Sequence, residues 1–300
     1  MTRERETLRE RVAVGAHRLA EQVATTLPEA WGRKVFAVGG ALAYHAAPGA
    51  RRVVAGNLSR VLGRSSSSPV VQRAVREAFD SYARYWFDSF RSRVIPREEF
   101  LRRSRFEGAE HLEAAMERGR GAIVALPHLG NWDTAGRWVA EQGYHITAVA
   151  EELKPERMYR LFYRHRRALG MGIVPLSDAR KVGEDLVKLL SQNQIVALVC
   201  DRDLKNTGVE VEMFGAKRRM PAGPALLSLA TGAPLLPCAP RDEEDGWIAR
   251  IHPPLEIDRT GKMRDDVSAL TRALAKRFER DISAYPTQWH MFQPAWPDAG

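Results

Sequence analysis

The stretch Gly121-Ala-Ile-Val-Ala-Leu-Pro-His-Leu-Gly-Asn-Trp-Asp133 contains a strand, a loop and the start of a helix. Ala122–Leu126 is a short apolar run of the kind that forms a buried strand. Pro127 ends this run, a Gly–Asn loop follows, and Thr134–Glu141 continues with helical spacing. A strand that leads through a loop into a helix is the repeating unit of α/β sheets, so this stretch predicts an α/β fold.

The same stretch carries a base and a carboxylate, His128 and Asp133, in a His-x4-Asp arrangement just beyond the strand. Open α/β sheets bind ligands beyond the carboxyl ends of their strands. A tight loop can fold Asp133 back onto the imidazole, where a carboxylate fixes the tautomer and stabilises the cation formed when His128 accepts a proton. The spacing alone equally fits a half-exposed loop histidine beside a helix-capping aspartate, so both interpretations stay open at this point.

From Phe106 onward, apolar runs alternate with amphipathic segments, which predicts a mixed, largely parallel central sheet flanked by helices. The predicted strands are Ala122–Leu126, His145–Ala150, Gly172–Val174, Ile195–Cys200, Val209–Met213, Pro234–Ala239 and Trp247–Ile251. The predicted helices are Thr134–Glu141, Glu156–Ala168, Ala179–Ser191, Gly223–Ala230 and Arg264–Ser283.

The first third of the chain is predicted to be helical. Apolar residues recur at helical spacing through residues 6–63, where Gly39-Gly40 weakens the second helix, and a long amphipathic helix spans Val70–Arg93. We therefore predict an N-terminal helical region over residues 1–105, packed on an α/β core over residues 106–300 as one structural domain. The aromatic cluster of the long helix is interpreted as core packing: Tyr82, Tyr85, Trp86, Phe87 and Phe90.

The composition limits the classes of molecule that this protein is expected to bind. The 300 residues are 44% hydrophobic and carry a net charge of +9, which favours an anionic partner such as nucleic acid, an acidic membrane face or a phosphate-rich substrate. Nucleic acid is not expected, because the chain has no zinc-ligand spacing, RNA-binding aromatic signature or basic zipper. The two cysteines, Cys200 and Cys238, are predicted to be buried reduced thiols, and no metal site is expected. No apolar run is long enough to span a bilayer, so we expect a soluble or peripheral membrane protein.

Further polar residues follow the other predicted strands. Glu151 follows the second strand, and Asp201 and Arg202 follow the strand that ends at Cys200. Because parallel strands end at the same edge of a sheet, we predict that these side chains converge on His128. Asp201 therefore competes with Asp133 as the carboxylate that orients the imidazole.

Two more features predict how a substrate is held. Backbone N–H groups of the Gly130–Asn131 loop at a helix start are candidate donors to an oxyanion. The cluster Lys217-Arg218-Arg219 precedes a helix start, where charge and free N–H groups together favour an anion, although a solvated loop is the alternative. The chain has no Gly-x-Ser-x-Gly nucleophile elbow, so direct transfer without a covalent enzyme intermediate is expected. His165 and His290 are interpreted as structural.

Several segments together resemble the lysophospholipid acyltransferase superfamily, whose defining motif is His-x4-Asp. The resemblance covers nearly the whole chain and is closest to the branch of bacterial lipid A acyltransferases and actinobacterial phosphatidylinositol mannoside acyltransferases, with the mannoside acyltransferases preferred. It rests on Ser81-Tyr-Ala-Arg-Tyr-Trp86, Leu126-Pro-His-Leu-Gly-Asn-Trp-Asp133, Cys200-Asp-Arg-Asp-Leu204, Phe214-Gly-Ala-Lys-Arg-Arg-Met-Pro-Ala-Gly-Pro224 and Trp289-His-Met-Phe-Gln-Pro294.

The resemblance implies an O-acyltransferase that uses acyl-CoA as co-substrate, needs no cofactor, and acylates a mannose hydroxyl of a phosphatidylinositol mannoside with His128 as general base. It also implies attachment to the anionic cytoplasmic face of the plasma membrane. The alternatives are a lipid A type acyltransferase, usually with an acyl-carrier-protein donor, a non-catalytic lipid-binding protein and a hydrolase.

The resemblance also assigns roles to single residues. This branch more often has Glu at the position of Asp201, and the shorter side chain shifts weight towards Asp133 as the partner of His128. Arg166 matches the mannoside branch and is expected to contact the thioester or a phosphate of the donor. Thr207 is expected to contact acyl-CoA, and Arg219 the polar head of the acceptor.

Overall fold

The computed structural model describes residues 6–176, 178–204 and 206–297 and confirms the α/β fold with its N-terminal helical region. Its helices are α1 (Leu8–Thr26), α2 (Glu29–Ala46), α3 (Pro48–Leu62), α4 (Pro69–Ser92), α5 (Arg97–Arg103), α6 (Ala109–Glu117), α7 (Trp132–Glu141), α8 (Glu156–Ala168), α9 (Ala179–Ser191), α10 (Gly223–Thr231) and α11 (Met263–Ala284). Its strands are β1 (Ser104–Glu107), β2 (Ala122–Leu126), β3 (Ile146–Glu151), β4 (Gly172–Leu176), β5 (Ile195–Val199), β6 (Val209–Met213), β7 (Ala216–Met220), β8 (Leu235–Glu243) and β9 (Gly246–Ile251).

The centre of the molecule is a sheet with the strand order β1-β9-β8-β2-β5-β3-β4. Neighbouring strands are parallel except for β8 and β9, which confirms the predicted mixed, largely parallel sheet. One hydrophobic cluster joins the sheet to α9, α10 and α11, and another joins it to α6 and α7. Strand β2 is buried along its whole length, as expected for a parallel strand covered on both faces.

Two strands, β1 and β7, were not predicted. Strand β1 pairs with β9, and the predicted boundary after residue 105 falls inside it. Strand β7 forms an antiparallel hairpin with β6 and contains the basic cluster predicted as a loop. Burial alternates along β7, with Arg218 buried and Lys217 and Arg219 exposed, because successive side chains of a strand point to opposite faces.

Helix α2 runs through Gly39-Gly40 without a break, although glycine has a low helix propensity. The reason is its close packing on α4. A Cβ atom at Gly40 would lie 2.9 Å from the Ala83 Cβ, and one at Gly32 would lie 2.5 Å from a ring carbon of Phe87. Glycine therefore costs helix propensity but allows the two helices to approach each other.

The outer faces of α1 and α2 expose large apolar side chains: Leu8, Val12, Leu19, Trp31, Val35, Val38 and Leu42. The four on α2 recur at i, i+4, i+7 and i+11, so they form one stripe along the helix. Within the described residues, no helix is both long and apolar enough to cross a membrane.

Candidate active site

The register of two neighbouring strands brings His128 and Asp201 together. Strands β2 and β5 are parallel, with Leu126 opposite Val199, and the Cys200 backbone N–H donates to the Leu126 carbonyl at 2.9 Å. His128 lies two residues beyond Leu126, and Asp201 lies two residues beyond Val199. The two side chains therefore leave the sheet side by side at its carboxyl edge, where α/β sheets bind ligands.

Asp201 makes two contacts with His128. Its Oδ1 lies 2.5 Å from the His128 Nδ1, and its Oδ2 accepts the His128 backbone N–H at 3.0 Å. The Trp289 indole N–H also donates to Oδ2, at 2.8 Å, and the Arg218 guanidinium donates to the Asp201 backbone carbonyl. A carboxylate at Nδ1 places the proton on that nitrogen and leaves the Nε2 lone pair to accept a proton.

Asp201 is fully buried yet ionised. Burial raises the pKa of its carboxyl, but the His128 charge and the hydrogen bonds from the His128 ring, the Trp289 indole and the His128 backbone outweigh burial and lower the pKa to about 2. A negative charge next to His128 is therefore present throughout the physiological pH range.

The loop that carries His128 is fixed by the chain near residue 290. The His290 backbone N–H donates to the His128 carbonyl at 2.7 Å, and the Gly130 N–H donates to the Gln288 carbonyl at 3.0 Å. Gly130 has a φ of +52°, and a Cβ atom there would collide with the Pro240 carbonyl oxygen. This position therefore requires glycine.

Asp133 lies at the start of α7 and points away from His128, towards α4 and α8. Its Oδ2 accepts hydrogen bonds from the Tyr85 hydroxyl and the Ser89 hydroxyl, both at 2.8 Å, and its Oδ1 accepts one from the Arg166 Nε at 2.9 Å. Burial raises the pKa of Asp133, but the positive charge of Arg166, the nearby His165 ring and the hydrogen bonds lower it to about 2. Asp133 is thus the centre of a buried polar cluster that joins three helices.

The structure decides between the two carboxylates that were left open. Asp201, and not Asp133, contacts the His128 ring, so the weight given to Asp133 for that contact was wrong. The physical reason is the position of Asp133 on a helix: it belongs to the first turn of α7, on the face that packs against α4.

A cavity of about 1520 Å³ opens beside the dyad. His128, Asp133 and Arg166 line it, together with aromatic side chains of α4 and α8 and aliphatic side chains of β3, β4 and β5. Tyr82, Tyr85 and Trp86, interpreted as core residues, therefore also form part of the cavity wall. Most of the wall is apolar, as expected for a site that holds a hydrocarbon chain.

Three of the predicted substrate-binding residues, Glu151, Arg202 and Thr207, also lie on the cavity wall. The Arg202 guanidinium is 3.8 Å from the Glu151 carboxylate, so this ion pair is loose. Arg166 is also on the wall, but its Nε is bonded to Asp133.

Three predicted contacts do not lie on the cavity wall. Arg219 is exposed on β7, donates to the Gly208 carbonyl at 2.8 Å, and does not line the cavity. Asn131 is buried as the N-cap of α7, where its side chain accepts the Thr134 N–H at 3.1 Å and donates to the Tyr85 carbonyl at 3.2 Å. The Gly130 N–H, predicted as an oxyanion donor, is already bonded to the Gln288 carbonyl.

Sequence reasoning missed two groups that hold Asp201, namely Trp289 and Arg218. Trp289 lies in one of the quoted motifs but was given no role. Arg218 could have been found if residues 216–220 had been recognised as a strand, because alternation then buries the middle residue of the basic cluster. Among the described residues, no cluster of His, Cys, Asp and Glu side chains could hold a metal ion.

The known proteins that are similar to this chain are bacterial acyltransferases. The family described as bacterial lipid A biosynthesis acyltransferase matches residues 16–297. Phosphatidylinositol mannoside acyltransferases of Mycolicibacterium smegmatis and Mycobacterium tuberculosis H37Rv are each 41% identical to the chain, over 90% of its length and 86% and 84% of theirs. A lipid A biosynthesis acyltransferase of Haemophilus influenzae is 22% identical, over 73% of this chain and 67% of its own.

Proposed function

Since this chain belongs to the bacterial lipid A biosynthesis acyltransferase family, as its motifs predicted, we propose that it moves a fatty acyl group from acyl-CoA to a mannose hydroxyl of a phosphatidylinositol mannoside. The observation that carries the proposal is the His128–Asp201 dyad at the head of a large apolar cavity. The acceptor is proposed from the names of the relatives with 41% identity.

The dyad supplies a general base. Asp201 holds the proton on the His128 Nδ1, so Nε2 removes the proton from the acceptor hydroxyl as its oxygen attacks the thioester carbonyl. A tetrahedral oxyanion forms and collapses, the C–S bond breaks, and the CoA thiolate leaves with the proton that His128 received. The negative charge of Asp201 stabilises the imidazolium between these two steps.

Direct transfer needs no covalent enzyme intermediate. Cys200, which precedes Asp201 in the chain, lines the cavity. Burial and the Asp201 charge raise the pKa of its thiol well above the ordinary value. A thiol that stays protonated is a poor nucleophile. The acceptor hydroxyl, activated by His128, is therefore the attacking group.

The arginines of the cavity wall differ in how firmly they are paired. Arg166 is bonded to buried Asp133 at 2.9 Å. Arg202 is partly buried in the wall and 3.8 Å from half-exposed Glu151, whereas the Arg180 side chain is 89% exposed and pairs with Glu184 in solvent. A phosphate competes most easily for the loosest pair. We therefore assign the donor phosphates to Arg202, with Thr207 on the same wall, and give Arg166 the task of neutralising Asp133.

The exposed stripe of α2 supports peripheral attachment to the cytoplasmic face of the plasma membrane. Apolar side chains on one helix face, in a protein of net charge +9, suit the interface of an anionic bilayer. We expect binding to vesicles with anionic lipid to weaken as salt rises, and Trp31→Ser, on the stripe, to weaken it further. Val70→Ser, an exposed apolar residue at the start of α4 that lies off the stripe and off the cavity wall, is the control. If Trp31→Ser bound vesicles as strongly as the wild-type protein, the stripe would be excluded as the membrane-binding surface.

The activity is tested by incubating the purified protein with labelled acyl-CoA and one acceptor at a time, followed by mass spectrometry of the products. The acceptors are a phosphatidylinositol mannoside, a Kdo-lipid A precursor and water alone. Acylated mannoside, absent with His128→Ala, supports the proposal. Acylation of only the lipid A precursor, or release of only free fatty acid, would contradict the proposed acceptor, and no thioester consumption would contradict the reaction.

A further inference from the structure

Residues 289–296, which we call the C-terminal tail, form a bent segment outside the helices and strands. Its first two residues hold both members of the dyad. The Trp289 indole donates to the Asp201 carboxylate at 2.8 Å. The His290 backbone N–H donates to the His128 carbonyl at 2.7 Å. The position of the tail therefore helps to set the distance between the His128 ring and Asp201.

The tail is itself fastened by one side chain of the N-terminal helical region, Asn57 of α3. The Asn57 amide N–H₂ donates to the carbonyls of Met291 and Gln293, both at 2.9 Å, and its Oδ1 accepts the Ala295 N–H at 3.0 Å. Asn57 is 1% exposed. Both amide protons are thus used, and only an amide of this length offers two donors and an acceptor in this arrangement.

We propose that Asn57 is a positioning residue for the His128–Asp201 dyad and acts through the C-terminal tail. The inference rests on the proposed function, because it assigns Asn57 a part in that reaction. Met291 directly follows the two residues that touch the dyad, so a shift of its carbonyl reaches His128 and Asp201 over one or two residues of chain. Asn57 lies off the cavity wall, so it acts without touching substrate.

The test is Asn57→Asp, which keeps the acceptor for the Ala295 N–H but turns a carboxylate oxygen towards two carbonyl oxygens. The first readout needs no substrate: the ring-nitrogen and Nδ1–H resonances of His128 in protein labelled with ¹⁵N-histidine, assigned with His128→Ala. A short Nδ1–H hydrogen bond to a carboxylate gives a proton signal at low field. We expect Asn57→Asp to move this signal upfield or to broaden it.

The second readout is turnover of acyl-CoA. A misplaced base lowers kcat by about tenfold to a hundredfold and leaves the KM for acyl-CoA within about twofold. The matched control is Asn193→Asp, because the Asn193 amide also bridges two backbone groups, Gly121 N–H and the Met116 carbonyl, but at the opposite edge of the sheet. It should change neither the His128 signal nor kcat.

Thermal unfolding shows whether each variant folds, and Asn57→Ser, which is smaller and uncharged, replaces Asn57→Asp if that variant does not fold. A folded Asn57 variant with the wild-type His128 resonances and kcat would overturn the inference, as would an equal change in Asn193→Asp. If wild-type protein does not consume acyl-CoA, the proposed function fails, whereas the His128 resonances still decide whether Asn57 sets the geometry of the dyad.

Discussion

Asp133 and Asp201 are two carboxylates in nearly the same physical condition. Each is at most 1% exposed, each follows the end of a parallel strand, and the pKa of each is about 2, because cationic and hydrogen-bonding partners outweigh burial. They differ in what they hold. Asp201 bonds to an imidazole that opens onto the cavity, whereas Asp133 is enclosed by Arg166 and two hydroxyl groups.

The difference teaches that a lowered pKa marks a well-partnered buried charge and does not by itself mark a chemical role. The role follows from the partner. A carboxylate next to a histidine can stabilise a transient cation, while a carboxylate next to an arginine neutralises a permanent one. Substitution of Asp201 should therefore lower kcat, whereas substitution of Asp133 should lower the free energy of unfolding.

The largest effect is expected for the group that Asp201 serves. His128→Ala should lower kcat by about 10²- to 10⁴-fold, because the acceptor hydroxyl loses its base. The unfolding temperature should fall by a few degrees, because buried Asp201 loses the ring but keeps the Trp289 indole and the backbone N–H of residue 128 as donors, so the protein still folds. The control is His145→Ala, an exposed histidine near the opposite edge of the sheet. A folded His128→Ala protein with near wild-type turnover would exclude His128 as the base.

Asp201→Asn should come next, with a loss in kcat of at least about a hundredfold and little change in the KM for acyl-CoA. The amide keeps the shape of the site but cannot stabilise the imidazolium. Steady-state kinetics with both substrates measures the two constants separately. If Asp201→Asn kept the wild-type kcat, the dyad would have no catalytic meaning.

Asp133→Asn should instead destabilise the folded protein. It leaves the buried Arg166 charge without its partner, which costs about 3 kcal/mol or more in the free energy of unfolding. The double variant Asp133→Asn/Arg166→Met removes both charges and should recover much of that loss, as measured by denaturant unfolding. Loss of turnover in Asp133→Asn without any loss of stability would contradict the distinction between the two aspartates.

A third buried carboxylate, Asp242, sharpens the comparison because neither of its oxygens has a hydrogen-bond partner. Burial, together with the negative charge of Asp88, raises the pKa of Asp242 from 3.8 to about 7. Folding therefore takes up a proton between these values, so this carboxyl disfavours folding progressively as pH rises towards 7. Asp242→Asn should raise the unfolding temperature by a few degrees at pH 8 and hardly at pH 4. An equal gain at both pH values would refute this.

The smallest effect concerns a cation that has a weak carboxylate partner. Arg202→Gln should raise the KM for acyl-CoA by about tenfold, because one charge-assisted phosphate contact is lost, with little change in kcat. Arg219→Gln is the matched control, since Arg219 is exposed and off the cavity wall. If Arg219→Gln raised the KM and Arg202→Gln did not, the donor would bind at the hairpin.

Much of the fold could be predicted because its signals are local. Ala122–Leu126, Glu156–Ala168 and Ala179–Ser191 were predicted with the boundaries observed, since apolar period and flanking breakers decide such elements. Strand β1 could not be found in this way, because Ser104–Glu107 is charged and becomes a strand only by pairing with β9. Strand β7 is similar: its exposed basic side chains, Lys217 and Arg219, are tolerated because β6 presents glutamates opposite them.

The residues of the candidate site could be predicted from the sequence better than the contacts between them. His128 and Asp201 could be named because polar residues follow buried strands. Their contact depends on Leu126 lying opposite Val199, a register that no local pattern specifies. Trp289 reaches Asp201 from a position 88 residues away in the chain. Arg166 was expected to bind phosphate, and its contact with Asp133 could not be predicted because it depends on how α7, α8 and α4 pack together.

The tail that holds the dyad also imposes an order on biosynthesis. His128 and Asp201 leave the ribosome well before the indole that bonds to the carboxylate, and Asn57 precedes both. Domains of this size begin to fold during translation, so the strands can pair while residues 289–296 are still being made. A nascent chain therefore holds the His128 loop only loosely until residues 289–296 have been made and have bonded to Asp201 and to the His128 carbonyl.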